Sequence, residues 1–134
     1  MRILIVEDDP RVGSFAKRAL ESIGSTVDLA TSVPEALDLL TEPDRAYHVV
    51  VVDRCLPGGS GDEVAQEVAS LCPDSGIVLT SGLSRTGRPF YDVWLDKPFG
   101  VDELVGAVSD ALIARSLRRY GKARRSTSVS GLRS

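Results

Sequence analysis

Five short apolar runs recur along this chain of 134 residues, separated by longer segments that mix apolar and polar positions. The runs are ILIV (3–6), VDLA (27–30), VVVV (49–52), IVLT (77–80) and VWL (93–95). A run such as VVVV predicts a strand buried on both faces, because half-exposed strands alternate polar and apolar residues. The segments after the first three runs and after the last repeat apolar residues at helical spacing. Alternating strands and helices predict a doubly wound α/β fold with a parallel sheet.

Capping residues give the predicted limits of these helices. Gly24 follows the first helical pattern and is a typical helix stop. Ser32 with Glu35 three residues later predicts the start of the second helix. Pro73 ends the third pattern, and Asp102 opens the acidic first turn of the last helix.

One interval breaks the alternation. The segment SGLSRTGRPFYD (81–92) joins the fourth and fifth strands, contains two glycines and a proline, and has little helical periodicity. It has room for one or two helical turns at most. The sequence therefore predicts a five-stranded sheet whose fourth helix is shortened or irregular.

Charge is distributed unevenly along the chain. Residues 1–114 carry nine basic and nineteen acidic groups, a net charge of −10, whereas no acidic residue follows Asp110. An acidic body is a poor ligand for nucleic acid. We predict a domain over residues 1–115 and a basic, Ser-rich, disordered tail over residues 116–134. Contact with nucleic acid is expected, if anywhere, only through that tail.

Composition predicts a cytoplasmic globular protein with no membrane partner. Apolar residues make up 43% of the chain, and no apolar run approaches the length of a membrane span. The segment after Met1 lacks the pattern of a secretory signal. Two cysteines, Cys55 and Cys72, are too few for a disulfide framework.

Carboxylates follow two of the predicted strands. Glu7, Asp8 and Asp9 come directly after the first strand, and Asp53 comes directly after the third. In a sheet of order 2-1-3-4-5 these strands are neighbours, and ligands bind beside the carboxyl ends of such strands. Glu7, Asp8 and Asp53 would repel one another unless a cation neutralised them, and oxygen ligands favour Mg²⁺. Asp9 is expected to cap the helix that follows.

A hydroxyl and an ammonium group follow the last two strands. Thr80 and Ser81 end the fourth strand, and Lys97 follows the fifth. Carboxylates, a cation, a hydroxyl and a lysine at one edge of a sheet are the groups that handle phosphoryl transfer.

These motifs resemble the receiver domain of two-component response regulators. The resemblance covers residues 1 to about 115 and rests on VEDD (6–9), DRCLPGGSG (53–61), TSG (80–82) and DKPF (96–99). It implies a flavodoxin-like sheet of order 2-1-3-4-5, with Asp53 as the phosphoacceptor. It also implies that Mg²⁺ is held by side chains and by one backbone carbonyl, namely by Glu7, Asp8, Asp53 and the carbonyl of Cys55.

The same resemblance implies roles for residues of the last two strands. Lys97 would pair with a phosphoryl oxygen, and a cis Lys97–Pro98 bond would turn the lysine towards it. The hydroxyl that responds to phosphorylation would be Ser81 rather than Thr80, because in the family it precedes a small residue. Trp94 occupies the aromatic position three residues before the lysine and would act as a switch.

The predicted function is a phosphorylation-activated switch in a two-component phosphorelay, not an enzyme in its own right. Its expected partners are a histidine kinase or phosphotransfer protein and a downstream protein target. Two alternatives remain open, a module that binds a partner without phosphorylation and a fragment of a DNA-binding regulator. A phosphatase of the haloacid-dehalogenase type is disfavoured, since its D-x-D motif would need an acid where Cys55 stands.

Overall fold

The computed structural model of the protein describes residues 1–83, 87 and 89–133, with side chains described as far as residue 121. In chain order the elements are β1 (Arg2–Val6), α1 (Pro10–Ser22), β2 (Thr26–Ala30), α2 (Val33–Leu40), β3 (Val49–Asp53), β4 (Cys55–Leu56), β5 (Gly59–Ser60), α3 (Gly61–Leu71), β6 (Gly76–Ser81), β7 (Val93–Asp96) and α4 (Val101–Arg133).

The main sheet has the strand order β2-β1-β3-β6-β7, and every neighbouring pair in it is parallel. This is the predicted order 2-1-3-4-5, because β4 and β5 form a separate hairpin. The hairpin pairs Cys55 with Ser60 around Pro57 and Gly58, and it was not expected from the sequence. Gly58 has φ of +79°, which suits the third position of a turn whose second residue is proline.

Alternate residues of each strand fill two separate cores. One core packs side chains such as Val50 and Val52 against α2 and α3, and the other packs Val49 and Val51 against α1 and α4. All four valines are buried, each contributing about 1.5–3 kcal/mol through the removal of apolar surface from water. The unbroken run of valines therefore reflects a central strand covered on both faces.

Helix limits follow the capping residues. Asp9 caps α1 by accepting the backbone N–H of Arg11 at 2.9 Å, as predicted. Ser32 caps α2 by accepting the N–H of Glu35 at 3.3 Å, while the Glu35 carboxylate reaches back to Thr31. These caps fix the direction in which each helix leaves the sheet.

The interval between β6 and β7 lacks a helix in its described part, which consists of residues 82, 83, 87 and 89–92. The rest of the segment expected to hold a short or irregular helix lies outside the described residues. Gly87 has φ of +73°, a conformation that favours glycine.

The C-terminal helix is longer than the sequence indicated. Disorder was expected from residue 116, whereas α4 continues through Arg133. Arg118 pairs with the Asp92 carboxylate and donates to the Ser75 carbonyl at 2.9 Å, and Arg115 donates to the Asp74 carbonyl. These contacts favour a helical conformation around residues 115–118, because they attach Arg115 and Arg118 to the segments before β6 and β7. The division into a domain over residues 1–115 and a tail over 116–134 stays a prediction.

Among the residues that the structure describes, no helix combines the length and apolar character needed to cross a membrane.

Candidate functional site

Asp53 ends the central strand β3 and lies at the carboxyl edge of the sheet. Asp53 is only 6% exposed. One carboxylate oxygen, Oδ1, accepts the backbone N–H of Cys55 at 3.2 Å, and the other, Oδ2, accepts the ammonium of Lys97 at 2.8 Å. Two hydrogen bonds to the charged form hold this carboxylate in one orientation.

Strand register brings the acidic residues that follow β1 to the same edge. Val6 pairs with Val52, so the residues that follow each of them, Glu7 and Asp53, are neighbours. Carboxylate oxygens of Glu7, Asp8 and Asp53 all lie within 4.8 Å of one another, the one such acidic cluster among the described residues. Glu7 is 4% exposed, while Asp8 is open to solvent. The cluster predicted from the sequence is therefore present.

Lys97 provides the positive charge of the site. Its Nζ lies 2.5 Å from Oε1 of Glu7 and 2.8 Å from Oδ2 of Asp53. The Lys97–Pro98 bond is cis, as expected. The ammonium thus contacts two of the three clustered carboxylates, and the site has an excess of negative charge.

The pKa values of Glu7 and Lys97 reflect this arrangement. Burial raises the pKa of Glu7 from 4.5 to about 7, against the lowering effect of the hydrogen bond from Lys97. For Lys97, burial acts to lower the pKa, but the hydrogen bonds to Asp53 and Glu7 outweigh it and the pKa is raised. Lys97 therefore remains charged, while burial makes the charged form of Glu7 less favourable.

The donor set fits a hard divalent cation. Octahedral Mg²⁺ with bonds of roughly 2.1 Å requires oxygen ligands about 3–4 Å apart, and the three carboxylates lie within 4.8 Å of one another. The exposure of Asp8 leaves one side of the cluster accessible to water. The fourth expected ligand, the carbonyl of Cys55, stays a prediction.

Gly61 allows the loop after Asp53 to close on helix α3. A side chain at this position would place Cβ 2.0 Å from the carbonyl oxygen of Asp53 and 2.7 Å from Cα of Arg54. The N–H of Gly61 instead donates to the carbonyl of Arg54 at 2.9 Å. Only glycine fits this contact, which fixes the backbone of the loop between Asp53 and α3.

The two candidate hydroxyls lie at the end of β6. Thr80 pairs with Asp53 in the sheet and is 2% exposed. Ser81, which is 1% exposed, accepts the backbone N–H of Leu83 at 3.0 Å, so its hydroxyl faces the segment that follows the strand. The choice of Ser81 over Thr80 as the responding hydroxyl stays a prediction.

Trp94 is 9% exposed and packs in the core beneath the site. Its indole N–H donates to Oδ1 of Asp96 at 2.8 Å. The guanidinium of Arg54 lies 5.6 Å from the centre of the ring and also pairs with Asp62. Sequence patterns did not indicate Arg54 or Asp62, because a loop separates the two residues and no periodicity relates them.

The fold and the site together define a class of protein. A doubly wound sheet of this order, with an acidic cluster and a lysine at the carboxyl edge, is the arrangement of phosphoacceptor signalling domains. The family model of the response regulator receiver domain matches residues 3–109. The chain therefore belongs to the response regulator receiver domain family.

Curated relatives agree with this assignment. The response regulator MprA of Mycolicibacterium vanbaalenii is 37% identical over 122 residues, which cover 87% of this chain and 52% of that protein. The response regulator RppA of Synechocystis is 32% identical over 111 residues, covering 78% of this chain and 47% of that protein. The chain thus spans about half the length of these relatives.

Solved structures share the fold. The response regulator TrrA of Thermotoga maritima, in complex with Mg²⁺ and BeF, is 33% identical with a TM-score of 0.75, covering 83% of this chain and 98% of that one. The CheY-like receiver domain protein of Methanospirillum hungatei has a TM-score of 0.79 at 23% identity, covering 87% of this chain and 97% of that one. The second likeness concerns the fold alone.

Proposed function

We propose that this receiver domain accepts a phosphoryl group on Asp53 and acts as a switch in a two-component phosphorelay. The observation that carries the proposal is the position of the Lys97 ammonium, which contacts both Asp53 and Glu7 beside the exposed Asp8. A buried carboxylate next to a fixed cation, at an edge open to solvent, can act as a nucleophile towards phosphorus. The 33% identical TrrA, bound to Mg²⁺ and BeF, supports this chemistry by analogy.

In the proposed transfer, an oxygen of Asp53 forms a bond to phosphorus as the bond from phosphorus to a histidine nitrogen breaks. The electron pair of that bond leaves with the imidazole. Lys97 exchanges its contact with Oδ2 of Asp53 for a phosphoryl oxygen, so that it offsets the charge that builds up in the transition state. The N–H of Cys55 keeps the Asp53 carboxylate oriented during the approach.

Glu7, Asp8, Asp53 and the carbonyl of Cys55 would hold Mg²⁺, which supplies charge neutralisation between the carboxylates and the incoming phosphoryl oxygens. The excess of carboxylates over ammonium groups supports this set of ligands.

In the proposed response, the acyl phosphate attracts the hydroxyl of Ser81, with Thr80 as the alternative, and Trp94 changes its packing in turn. The new negative charge favours a hydrogen bond that the free carboxylate does not make. Ser81 already lies at the start of the segment that would have to move, since its hydroxyl bonds to Leu83.

The proposed phosphoryl donor is a histidine kinase or phosphotransfer protein, and the output is contact with a downstream protein, in the cytoplasm. A groove of about 530 Å³ borders Lys97 and suits the docking of the donor's histidine-bearing helix. It combines apolar and charged side chains, from Asp9, Arg11, Val12, Phe15, Lys97, Pro98 and Phe99.

Intact-mass spectrometry after treatment with acetyl phosphate tests the proposal. The wild type should gain one phosphoryl group in the presence of Mg²⁺ and none in a chelator, and Asp53→Asn should gain none under either condition. Asp38→Asn, which changes an exposed carboxylate on helix α2, is a matched control that should behave like the wild type. A wild type that takes up no phosphoryl group, while remaining folded, would instead favour a module that binds its partner without phosphorylation.

A further inference from the structure

Arg54 follows Asp53 directly in the chain and connects two other parts of the molecule. Its guanidinium donates to the Asp62 carboxylate through Nε at 2.9 Å and Nη2 at 3.1 Å. Its Cζ lies 5.6 Å from the centre of the Trp94 ring, within the distance of about 6 Å at which a cation is attracted to an aromatic face. One guanidinium therefore joins the first turn of α3 to strand β7.

The geometry of this contact depends on Asp62. A forked pair of hydrogen bonds between a guanidinium and a carboxylate fixes the plane of the guanidinium. The Arg54 side chain is only 15% exposed, so it has few alternative positions. Gly87 lies close to the guanidinium, since a Cβ built at that position would be 3.3 Å from Nη2 of Arg54.

Trp94 has further contacts in its buried position. Its indole N–H donates to Asp96, and the ring meets Tyr91 edge-on, with centroids 5.6 Å apart and planes at 70°. The chain contains a single tryptophan, so the environment of this ring can be followed by fluorescence.

We propose that Arg54 is a positioning residue that stabilises the buried position of Trp94 and thereby raises the affinity of the site for a phosphoryl group. The inference rests on the proposed phosphorylation of Asp53. An indole that turned outward would lose its contact with the guanidinium, so the contact stabilises the buried position only. Interactions that differ between two conformations are the ones that shift their equilibrium.

The expected link to phosphorylation rests on the proposed movement of Ser81, which pairs with Asp96 on the strand next to it, two residues beyond Trp94. If Ser81 moves towards the phosphoryl group, it leaves space that a buried Trp94 can occupy. Binding of a phosphoryl group and burial of Trp94 would therefore favour the same conformation of the domain. The apparent affinity of a ligand falls in proportion to the fraction of protein in the competent conformation. Loss of the cation–aromatic contact changes the equilibrium between the two positions about two- to fivefold, and this factor is the upper limit for the loss of ligand affinity.

The test uses Mg²⁺ with beryllofluoride as the probe and Trp94 emission as the readout, in the full chain. Arg54→Ala should shift the emission of the unliganded protein to longer wavelength, increase its quenching by acrylamide and weaken beryllofluoride binding by up to about fivefold. Arg54→Lys, which keeps the charge without the fork, should give an intermediate result. Arg45→Ala is the matched control, since Arg45 pairs with Asp28 and Glu42 elsewhere, and it should change none of the three quantities.

Asp62→Asn separates positioning from simple charge. It retains Arg54 and removes a negative charge close to an anionic probe, so a pure charge effect would strengthen binding. Positioning predicts weaker binding and a shift in emission, as in Arg54→Ala. Asp62→Asn also serves as the decisive variant if Arg54→Ala fails to fold.

Two outcomes would overturn the inference in distinguishable ways. Unchanged emission in both Arg54→Ala and Asp62→Asn, with normal beryllofluoride binding, would refute the role of Arg54 and leave phosphorylation of Asp53 intact. A wild type that binds no beryllofluoride would refute the proposed function and the effect on affinity together, whatever the emission of the variants.

Discussion

Two buried carboxylates at different ends of the sheet have different electrostatic surroundings. At the carboxyl edge, Asp53 lies beside Glu7 and Asp8, and the ammonium of Lys97 contacts it. At the start of β7, Asp92 pairs with Arg118 and accepts the N–H of Ile77 at 2.8 Å. The Asp92 side chain is 8% exposed and the Asp53 side chain 7%, so burial does not distinguish the two.

The difference lies in compensation. Asp92 has one cation and one backbone donor for its two oxygens, which is the arrangement expected of a structural ion pair. The cluster around Asp53 has more negative charge than its lysine can neutralise, and the raised pKa of Glu7, caused first by burial, reflects the cost. The excess of buried negative charge is what the proposed binding of an external cation would neutralise.

Removing the ammonium group should have the largest effect. Lys97→Met keeps most of the side-chain length and removes the charge that contacts Asp53 and Glu7, so we expect phosphoryl uptake from acetyl phosphate to slow about a hundredfold. The rate is measured by intact-mass spectrometry over time. Lys17→Met, on helix α1, is the matched control and should react at the wild-type rate. Equal rates for the two variants would show that Lys97 has no part in the reaction.

Mg²⁺ should stabilise the acidic cluster around Asp53 and leave the Arg118–Asp92 pair unaffected. Since only the folded chain gathers the three carboxylates, Mg²⁺ at a hundred times its dissociation constant should add about 3 kcal/mol to the free energy of unfolding. Urea titration with and without Mg²⁺ measures this gain. Glu7→Gln should raise stability in chelator and reduce the gain. A wild type indifferent to Mg²⁺ would mean that the cluster is repulsive but binds no metal.

Breaking the compensated pair should cost stability and leave phosphorylation unchanged. Arg118→Ala leaves the buried Asp92 without its cation, and because Arg118 is partly exposed we expect a loss of about 2 kcal/mol. Truncation after Arg118 should preserve stability, whereas truncation after Arg115 should reproduce the loss. Phosphoryl uptake that falls in Arg118→Ala would contradict the separation of the two ends.

The buried Tyr47 gives a smaller test of how a compensated buried group contributes to stability. Tyr47 donates to Asp28 at 2.7 Å, and burial together with this bond raises the pKa of Tyr47 from 10.0 to about 12. Tyr47→Phe should lose about 1 kcal/mol at neutral pH. The bond's contribution is complete below pH 10 and is lost as pH rises from 10 to 12, so the difference between variant and wild type should vanish across that window. Urea titration at several pH values measures it.

Much of the fold and the acidic edge could be predicted from local sequence patterns. Apolar runs such as VVVV (49–52) identify central strands, and residues directly after those strands must meet at one edge. The cap at Asp9 and the helix stop at Gly24 are equally local signals.

Other features left no pattern in the sequence, because their strands are very short or because their partners are distant in the chain. The hairpin of Cys55 and Ser60 has strands of two residues, too short for alternation. Arg118 meets Asp92 across 26 positions of the chain, so its basic segment resembles a free tail until the fold brings the carboxylate close.

A crystal structure grown with Mg²⁺ and beryllofluoride would test most directly whether the uncompensated edge is a phosphoryl site. We predict beryllofluoride on Asp53, Mg²⁺ between Glu7, Asp8 and Asp53, and Lys97 displaced from Oδ2 of Asp53 to a fluorine atom. The Arg118–Asp92 pair should be unchanged. Beryllofluoride bound elsewhere, or Lys97 still paired with an unmodified Asp53 under saturating conditions, would contradict the account.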